Sequence, residues 1–265
     1  MSTNKRKGAA NGVTRQEIMA VTAAREIRDG EVAFIGTGLP MVAAYLAKYT
    51  HAPSSVLIFE SGVVGAQPKE LATGVGDLRL LHGCIKATGL YYALSLLQGG
   101  FVDIGFLGAA EVDQYGNLNS TAIGDYRRPT VRLPGSGGAN DIGSLARRLL
   151  IMVPHERRRL VPRVQYLTTP GFLDGPGARE RAGLRGEGPT RVITDLAVLD
   201  FDPASKRMRV ATVHPGVTVE DVEARTGFPL LRAPRVGETA LPSAEEVRLL
   251  RERIDPEGIY IGSKG

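Results

Sequence analysis

The chain has 265 residues, 43% of them apolar and 23% charged, with no tryptophan, a single cysteine and a formal net charge of +5. One cysteine excludes an intramolecular disulfide framework and a zinc site of cysteine pairs, and His51, His82, His155 and His214 show no metal-ligand spacing. No apolar run approaches the ~20 residues of a membrane span and the N-terminus has no apolar signal core, so a cytoplasmic protein without membrane contact is expected.

Residues 1–13, with Lys5, Arg6 and Lys7 and no acid, read as a disordered basic tail, and 14–265 as one domain. Thr14 to Asp29 reads as a helix: Thr14 and Glu17 have capping-box spacing, Ile18, Val21 and Ile27 share a face, and Gly30 ends it. Glu31–Gly36 is a short buried-type strand; Pro40 then stands in a first helical turn and Met41–Tyr49 follows. Ser55–Phe59 is a second buried strand, ended by Glu60-Ser61-Gly62. Leu90–Leu97 suits a helix, Phe101–Leu107 a strand, Ala139–Arg148 a helix and Leu149–Val153 a strand. Val192–Phe201 and Met208–Val213 flank Asp202-Pro203-Ala204-Ser205-Lys206, the turn chemistry of a hairpin. Val219–Arg225 and Ala244–Arg253 suit closing helices. Repeated β-then-α order with near-continuous apolar strands predicts a single open three-layer α/β/α domain with a mostly parallel sheet.

The basic balance is local. Arg147 to Arg163 holds six arginines against Glu156 alone. The Arg157-Arg158-Arg159 run has no interleaved aromatics, so it offers no RNA-stacking platform, and no nucleic-acid partner is expected. It reads as a solvated or subunit-contact surface, with the phosphates of an anionic cofactor as the alternative.

Glycines gather where strand-like runs end: Gly36-Thr37-Gly38, Ser61-Gly62, Gly116, Gly135-Ser136-Gly137-Gly138, and Gly171 to Gly177. Each alone is explained by a tight turn; together they mark the carboxyl ends of strands, where open α/β sheets bind ligands. Gly36-Thr37-Gly38-Leu39-Pro40-Met41, with Glu60 ending the next strand, imitates a dinucleotide fingerprint. Met41 stands where the third glycine belongs and Pro40 removes a helix N–H, which leaves an NAD site as the weaker reading. Ser136 lacks the Gly-x-Ser-x-Gly elbow of a serine hydrolase.

Glu60 itself can carry chemistry. A strand-end carboxylate is commonly a cap or ion-pair partner, but beside Ser61-Gly62 it could attack a thioester, given N–H donors for the oxyanion. Gly137-Gly138, just before a predicted helix, has the form of such a donor turn.

Several motifs stand in order along most of the chain: Gly36-Thr37-Gly38-Leu39-Pro40, Glu60-Ser61-Gly62, Val75-Gly76-Asp77-Leu78-Arg79, Tyr115-Gly116-Asn117 with Asn119-Ser120-Thr121, Gly135 through Asn140, His155-Glu156-Arg157-Arg158, and Pro170-Gly171 with Asp174-Gly175-Pro176-Gly177. In these it resembles the β subunits of family I CoA-transferases, closest to the glutaconate type, from about Thr14 to Pro256. The resemblance implies the CoA-transferase fold and a ping-pong exchange of CoA between carboxylic acids through a glutamyl-CoA thioester on Glu60. It implies Gly137 and Gly138 as the oxyanion and substrate loop, and Gly36, Thr37 and Gly38 as the loop near acyl-CoA. Coenzyme A esters are then substrates rather than bound cofactors, no metal is needed, and a homologous α subunit completes the site in a hetero-oligomer. Related two-subunit proteins that lack the glutamate hydrolyse or decarboxylate CoA esters; the presence of Glu60 favours transfer.

Overall fold

The computed structural model describes residues 12–262. The expected tail therefore falls mostly outside the described residues; its last residue, Val13, is buried, and the Gly12 carbonyl accepts a hydrogen bond from Arg251 at 2.7 Å.

In chain order the elements are α1 (Arg15–Ala24), β1 (Val32–Ile35), α2 (Leu39–Tyr49), β2 (Val56–Phe59), β3 (Val63–Val64), β4 (Lys86–Ala87), α3 (Leu90–Gln98) and β5 (Ile104–Leu107). Next come β6 (Glu111–Asp113), β7 (Leu118–Asn119), β8 (Ala122–Asp125), β9 (Arg128–Arg132), α4 (Ala139–Leu145), β10 (Arg148–Met152), β11 (Leu160–Val161) and α5 (Ala178–Arg181). The chain closes with β12 (Gly188–Ile193), β13 (Ala197–Phe201), β14 (Met208–Val213), α6 (Val219–Ala224), β15 (Leu231–Glu238) and α7 (Ala244–Leu249), which runs on into one wider turn, Leu250–Ile254.

Ten strands form one sheet in the order β15-β14-β13-β12-β10-β5-β1-β2-β3-β4. Its middle, β12-β10-β5-β1-β2, is parallel throughout, as is β14-β15; the hairpins β12-β13-β14 and β2-β3-β4 are antiparallel. The sheet is mixed but mostly parallel, as the apolar strands predicted.

Alternation along each central strand sends side chains to two cores, the pattern of a sheet covered on both faces. Ala33, Ile35, Leu57, Phe59, Ile104 and Phe106 meet α1, α2 and the C-terminal helix on one side. Phe34, Ile58, Leu149 and Ile151 meet α3, α4 and α6 on the other. These are the three expected layers.

The Thr14–Glu17 capping box is present, and Glu17 also receives Arg251 at 2.6 Å, tying the start of the domain to its end. Four expectations differ. The first helix stops at Ala24 rather than Asp29. The helix expected through Arg148 ends at Leu145, because Ala146 turns extended and Arg147 N–H already pairs with the Val102 carbonyl. Arg148 instead opens β10 and bonds Glu31 at 2.6 Å. The single strand expected over Val192–Phe201 is two strands, since the Thr194 hydroxyl accepts the N–H groups of Leu196 and Ala197 and closes a tight turn. Between β5 and α4, where no element was expected, lie β6 and β7 of the small β11-β6-β7 sheet and the β8-β9 hairpin.

Candidate active site

Strands β1 and β2 run side by side with Ile35 opposite Phe59, so Gly36 and Glu60 leave the sheet together at its carboxyl edge. The register thus brings the Gly36-Thr37-Gly38 loop next to Glu60. Gly38 then caps α2, with Pro40 in the first turn and Met41 fully buried in the core. A glycine-like close approach to a dinucleotide is absent at that position.

Glu60 is half-buried. The turn behind it is set by Gly62, whose φ is +98° and whose missing side chain makes room for another stretch of backbone: a Cβ there would stand 2.5 Å from Gly89 N. Thr88 closes that contact, its N–H and its hydroxyl both donating to the Gly62 carbonyl, at 2.9 and 2.6 Å. Glu60 consequently projects from a fixed turn.

The Gly135–Gly138 loop approaches from the end of β9. The Gly138 N–H donates to Glu60 Oε1 at 2.9 Å. Gly138 is buried and caps α4, whose free N–H groups favour a carboxylate. A Cβ on Gly138 would lie 3.3 Å from Glu60 Cδ and 3.4 Å from Leu94 Cδ2, so α3 walls the contact from behind. Gly137 makes no hydrogen bond to Glu60 among the described residues. It holds φ at +47°, and a Cβ there would lie 3.3 Å from Glu60 Oε1. The two glycines expected to act alike thus have separate tasks: Gly138 donates, and Gly137 keeps the approach open.

The loop is braced by residues that spacing did not single out for the site. Gly135 exchanges bonds with Ser120, N–H to carbonyl at 2.8 Å and Ser120 hydroxyl to carbonyl at 2.9 Å. Asn140 donates to the Thr168 carbonyl at 3.0 Å, and the Thr121 and Thr168 hydroxyls meet at 2.7 Å. Ser120, Thr121 and Asn140 belong to the ordered motifs of the chain; Thr168 carries no signal in sequence, since only tertiary folding brings it there.

Most of the arginine run between 147 and 163 is neutralised. Arg148 pairs with Glu31, Arg158 and Arg159 both turn onto Glu156, and Arg163 lies 3.5 Å from Asp174. Past the Glu60 turn, by contrast, Leu78, Ile85, Leu90 and Tyr91 stand exposed. Among the described residues no helix is long and apolar enough to cross a membrane, and no group of His, Cys, Asp or Glu is placed to hold a metal.

A family model described as coenzyme A transferase matches residues 16–225. The chain is 42% identical over 254 residues to one subunit of the glutaconate CoA-transferase of Acidaminococcus fermentans, covering 94% of this chain and 95% of that protein. The crystal structure of that glutaconate coenzyme A-transferase superposes with a TM-score of 0.90 at 40% identity, covering 97% of this chain and 100% of the other. Identity is 44% over 237 residues to one subunit of the 3-oxoadipate CoA-transferase of Pseudomonas knackmussii, 89% of this chain and 91% of that one. A decarboxylase, AibA/AibB, shares the fold at a TM-score of 0.81 and 31% identity, covering 94% of this chain and 97% of that chain.

Proposed function

The chain belongs to the coenzyme A transferase family, and from that membership and the Glu60–Gly138 contact we propose that it is the glutamate-bearing subunit of an enzyme moving CoA between carboxylic acids. Coenzyme A esters are its substrates, and no resident cofactor is required. The single observation that carries the reading is the Gly138 N–H held on Oε1 of Glu60.

The chemistry follows from that bond. With Oε1 engaged, Oε2 attacks the thioester carbonyl; the C–S bond breaks, CoA thiolate leaves, and the acyl group is joined to Glu60 as an anhydride. The thiolate then attacks Glu60 Cδ and the first carboxylate departs, leaving a glutamyl-CoA thioester. A second carboxylate reverses both steps, so kinetics are ping-pong. In the thioester-forming step negative charge develops on a Glu60 oxygen, and the Gly138 N–H already sits on it, as an oxyanion donor should. Because carboxylate exchanges for carboxylate, no ATP is consumed. The Gly36-Thr37-Gly38 loop, level with Glu60, borders the acyl-CoA.

Anhydride and thioester both hydrolyse unless water is kept out. Glu60 is half-buried, and the apolar residues Leu78, Ile85, Leu90 and Tyr91, which follow it in the chain, are exposed. A homologous α subunit covers these residues and completes the site, a reading supported by relatives whose names make each of them one subunit of a CoA-transferase.

The test is trapping. The chain, co-purified with its α partner, is incubated with acyl-CoA and then with borohydride or hydroxylamine, and the peptides are weighed. Modification of the Glu60 peptide alone is expected. Transfer without it, or with an adduct elsewhere, overturns the assignment. Glutaconate and 3-oxoadipate, the acids in the relatives' names, head the acceptor panel.

A further inference from the structure

The motif Val75-Gly76-Asp77-Leu78-Arg79 belongs to an excursion of the chain between β3 and β4. Its base is closed by Gln67 N–H on the His82 carbonyl at 3.0 Å and by Ile85 N–H on the Val64 carbonyl at 2.9 Å. Asp77 shapes the turn inside it. Its Oδ2 accepts the N–H and the hydroxyl of Thr73 at 3.0 and 3.2 Å, and its Oδ1 accepts Arg79 N–H at 3.0 Å. The Arg79 guanidinium reaches back to the Leu71 carbonyl at 2.9 Å. The next carbonyl, that of Ala72, accepts the hydroxyl of Tyr260 at 3.0 Å, although 188 positions separate the two residues.

Tyr260 is held as firmly on its own side. The buried Asp255 carboxylate accepts the N–H groups of Ile259, Tyr260 and Ile261 at 2.8, 2.7 and 2.9 Å, so three successive backbone donors close around one anion. Ile261 is buried, and its carbonyl accepts the Thr14 hydroxyl at 3.4 Å. The half-buried Tyr260 ring packs on the same core as Leu39, and a Cβ on Gly38 would lie 4.0 Å from its Cε1. Gly38 has φ +89° and stands between a glycine-rich loop and α2. Glycine backbone has many alternatives of similar energy, so a loop of this composition stays in one conformation only if its surroundings hold it. One side chain thus joins the Gly36-Thr37-Gly38 loop to the Asp77 turn.

We propose that Tyr260 is a positioning residue for the CoA ester: its ring against Gly38 and its hydroxyl on Ala72 hold the Gly36-Thr37-Gly38 loop in the geometry that receives the ligand. The proposal rests on the reading that this loop borders acyl-CoA. Tyr260 serves binding and not the chemical step, because the two lie on opposite faces of the sheet. Tyr260 packs with α1 and α2, whereas Leu94 of α3 and Ala139 of α4, next to the Gly138 contact with Glu60, belong to the other core. A loop released from its brace is in the receptive conformation only part of the time, and affinity falls by that fraction.

The experiment uses the complex with the α partner, as wild type, as Tyr260→Phe, which keeps the ring and loses the bond to Ala72, and as Tyr260→Ala, which loses both. The first readout is calorimetric binding of S-acetonyl-CoA, a thioether that cannot pass its acyl group to a carboxylate. Affinity is expected to fall about three-fold in Tyr260→Phe and about ten-fold or more in Tyr260→Ala. The second readout is transfer from acetyl-CoA. Its kcat/KM falls by the same factors while kcat stays within about two-fold. For the acceptor acid, which meets an enzyme already carrying CoA covalently, kcat/KM is unchanged. A tyrosine that only stabilises the fold would lower the unfolding temperature and leave these constants alone. S-acetonyl-CoA affinity unchanged in both variants, equal losses in kcat/KM for acetyl-CoA and acid, or a wild type that does not bind S-acetonyl-CoA overturns the proposal. A wild type that binds S-acetonyl-CoA in a Tyr260-dependent way yet forms no Glu60 adduct refutes only the transfer reading.

Discussion

The Gly138 N–H and Glu60 Oε1 lie 2.9 Å apart although 78 positions separate the residues in sequence. One caps α4 and the other ends β2, so the contact measures how closely two layers of the fold are held. A side chain on either glycine of the loop would enter space within 3.4 Å of the Glu60 carboxyl group. Gly138→Val and Gly137→Val are therefore expected to lower kcat by roughly 10²–10³, with smaller changes in KM. Steady-state kinetics on the two-subunit enzyme checks this; a folded Gly138→Val enzyme with unchanged kcat assigns the loop to turn geometry alone.

Glu60→Asp keeps the charge but withdraws the carboxylate by one methylene, about 1.5 Å. Loss of the near-attack position is expected to cost at least 10²-fold in transfer rate, while thermal unfolding hardly moves because Glu60 is half-buried and off the core. Isotope exchange between a labelled carboxylic acid and its own acyl-CoA reads the half-reaction directly.

Gly62→Ala tests the turn behind the glutamate. The residue has φ +98° and its Cβ would meet backbone atoms of Gly89 at 2.5 Å, so the chain must move. A destabilisation of about 3 kcal/mol is expected from backbone strain plus overpacking, measured as a shift in the urea midpoint. The Thr88→Gly62 bonds break with it, and activity falls in parallel.

His155 gives the protein an acid-sensitive core. Its ring is buried between Thr194, Val222 and Thr226, and burial pulls its pKa from 6.5 down to about 4. His214, bonded to Thr194 and Thr239, is lowered for the same reason. The unfolded chain protonates these rings near pH 6.5 while the folded one does not, so the unfolded state gains protons first. Stability is full above pH 6.5 and declines as pH falls toward 4, by up to about 3 kcal/mol for His155. Denaturation at pH 7.5 and 4.5 checks the slope, and His155→Gln should flatten it; an unchanged slope in that variant refutes the assignment.

The isolated chain is expected to be inactive and the two-subunit complex active. Glu60 is half-buried in this chain alone, which leaves the acyl-enzyme open to hydrolysis, and Leu78, Ile85, Leu90 and Tyr91 are exposed apolar residues for a partner subunit to cover. Size measurement and transfer assays with and without the α partner decide it; full activity from the chain alone refutes the requirement.

The sequence by itself determined the alternation of elements, the capping box at Thr14, the strand ending at Glu60 and the glycine loop opening α4. These are local facts: caps, apolar runs and glycines act over a few residues and leave their mark in composition and spacing. The split at Thr194 was legible only as side-chain-to-backbone competition, and the end of α4 at Leu145 not at all, because it depends on Arg147 finding Val102. Tertiary structure alone decided that Gly138 N–H meets Glu60, that Gly137 does not, and that Thr168 braces their loop. It also decided which arginines are spent on carboxylates. Sequence records how many charges and donors a chain has; their pairing depends on which distant elements pack together, and only the closed core fixes that.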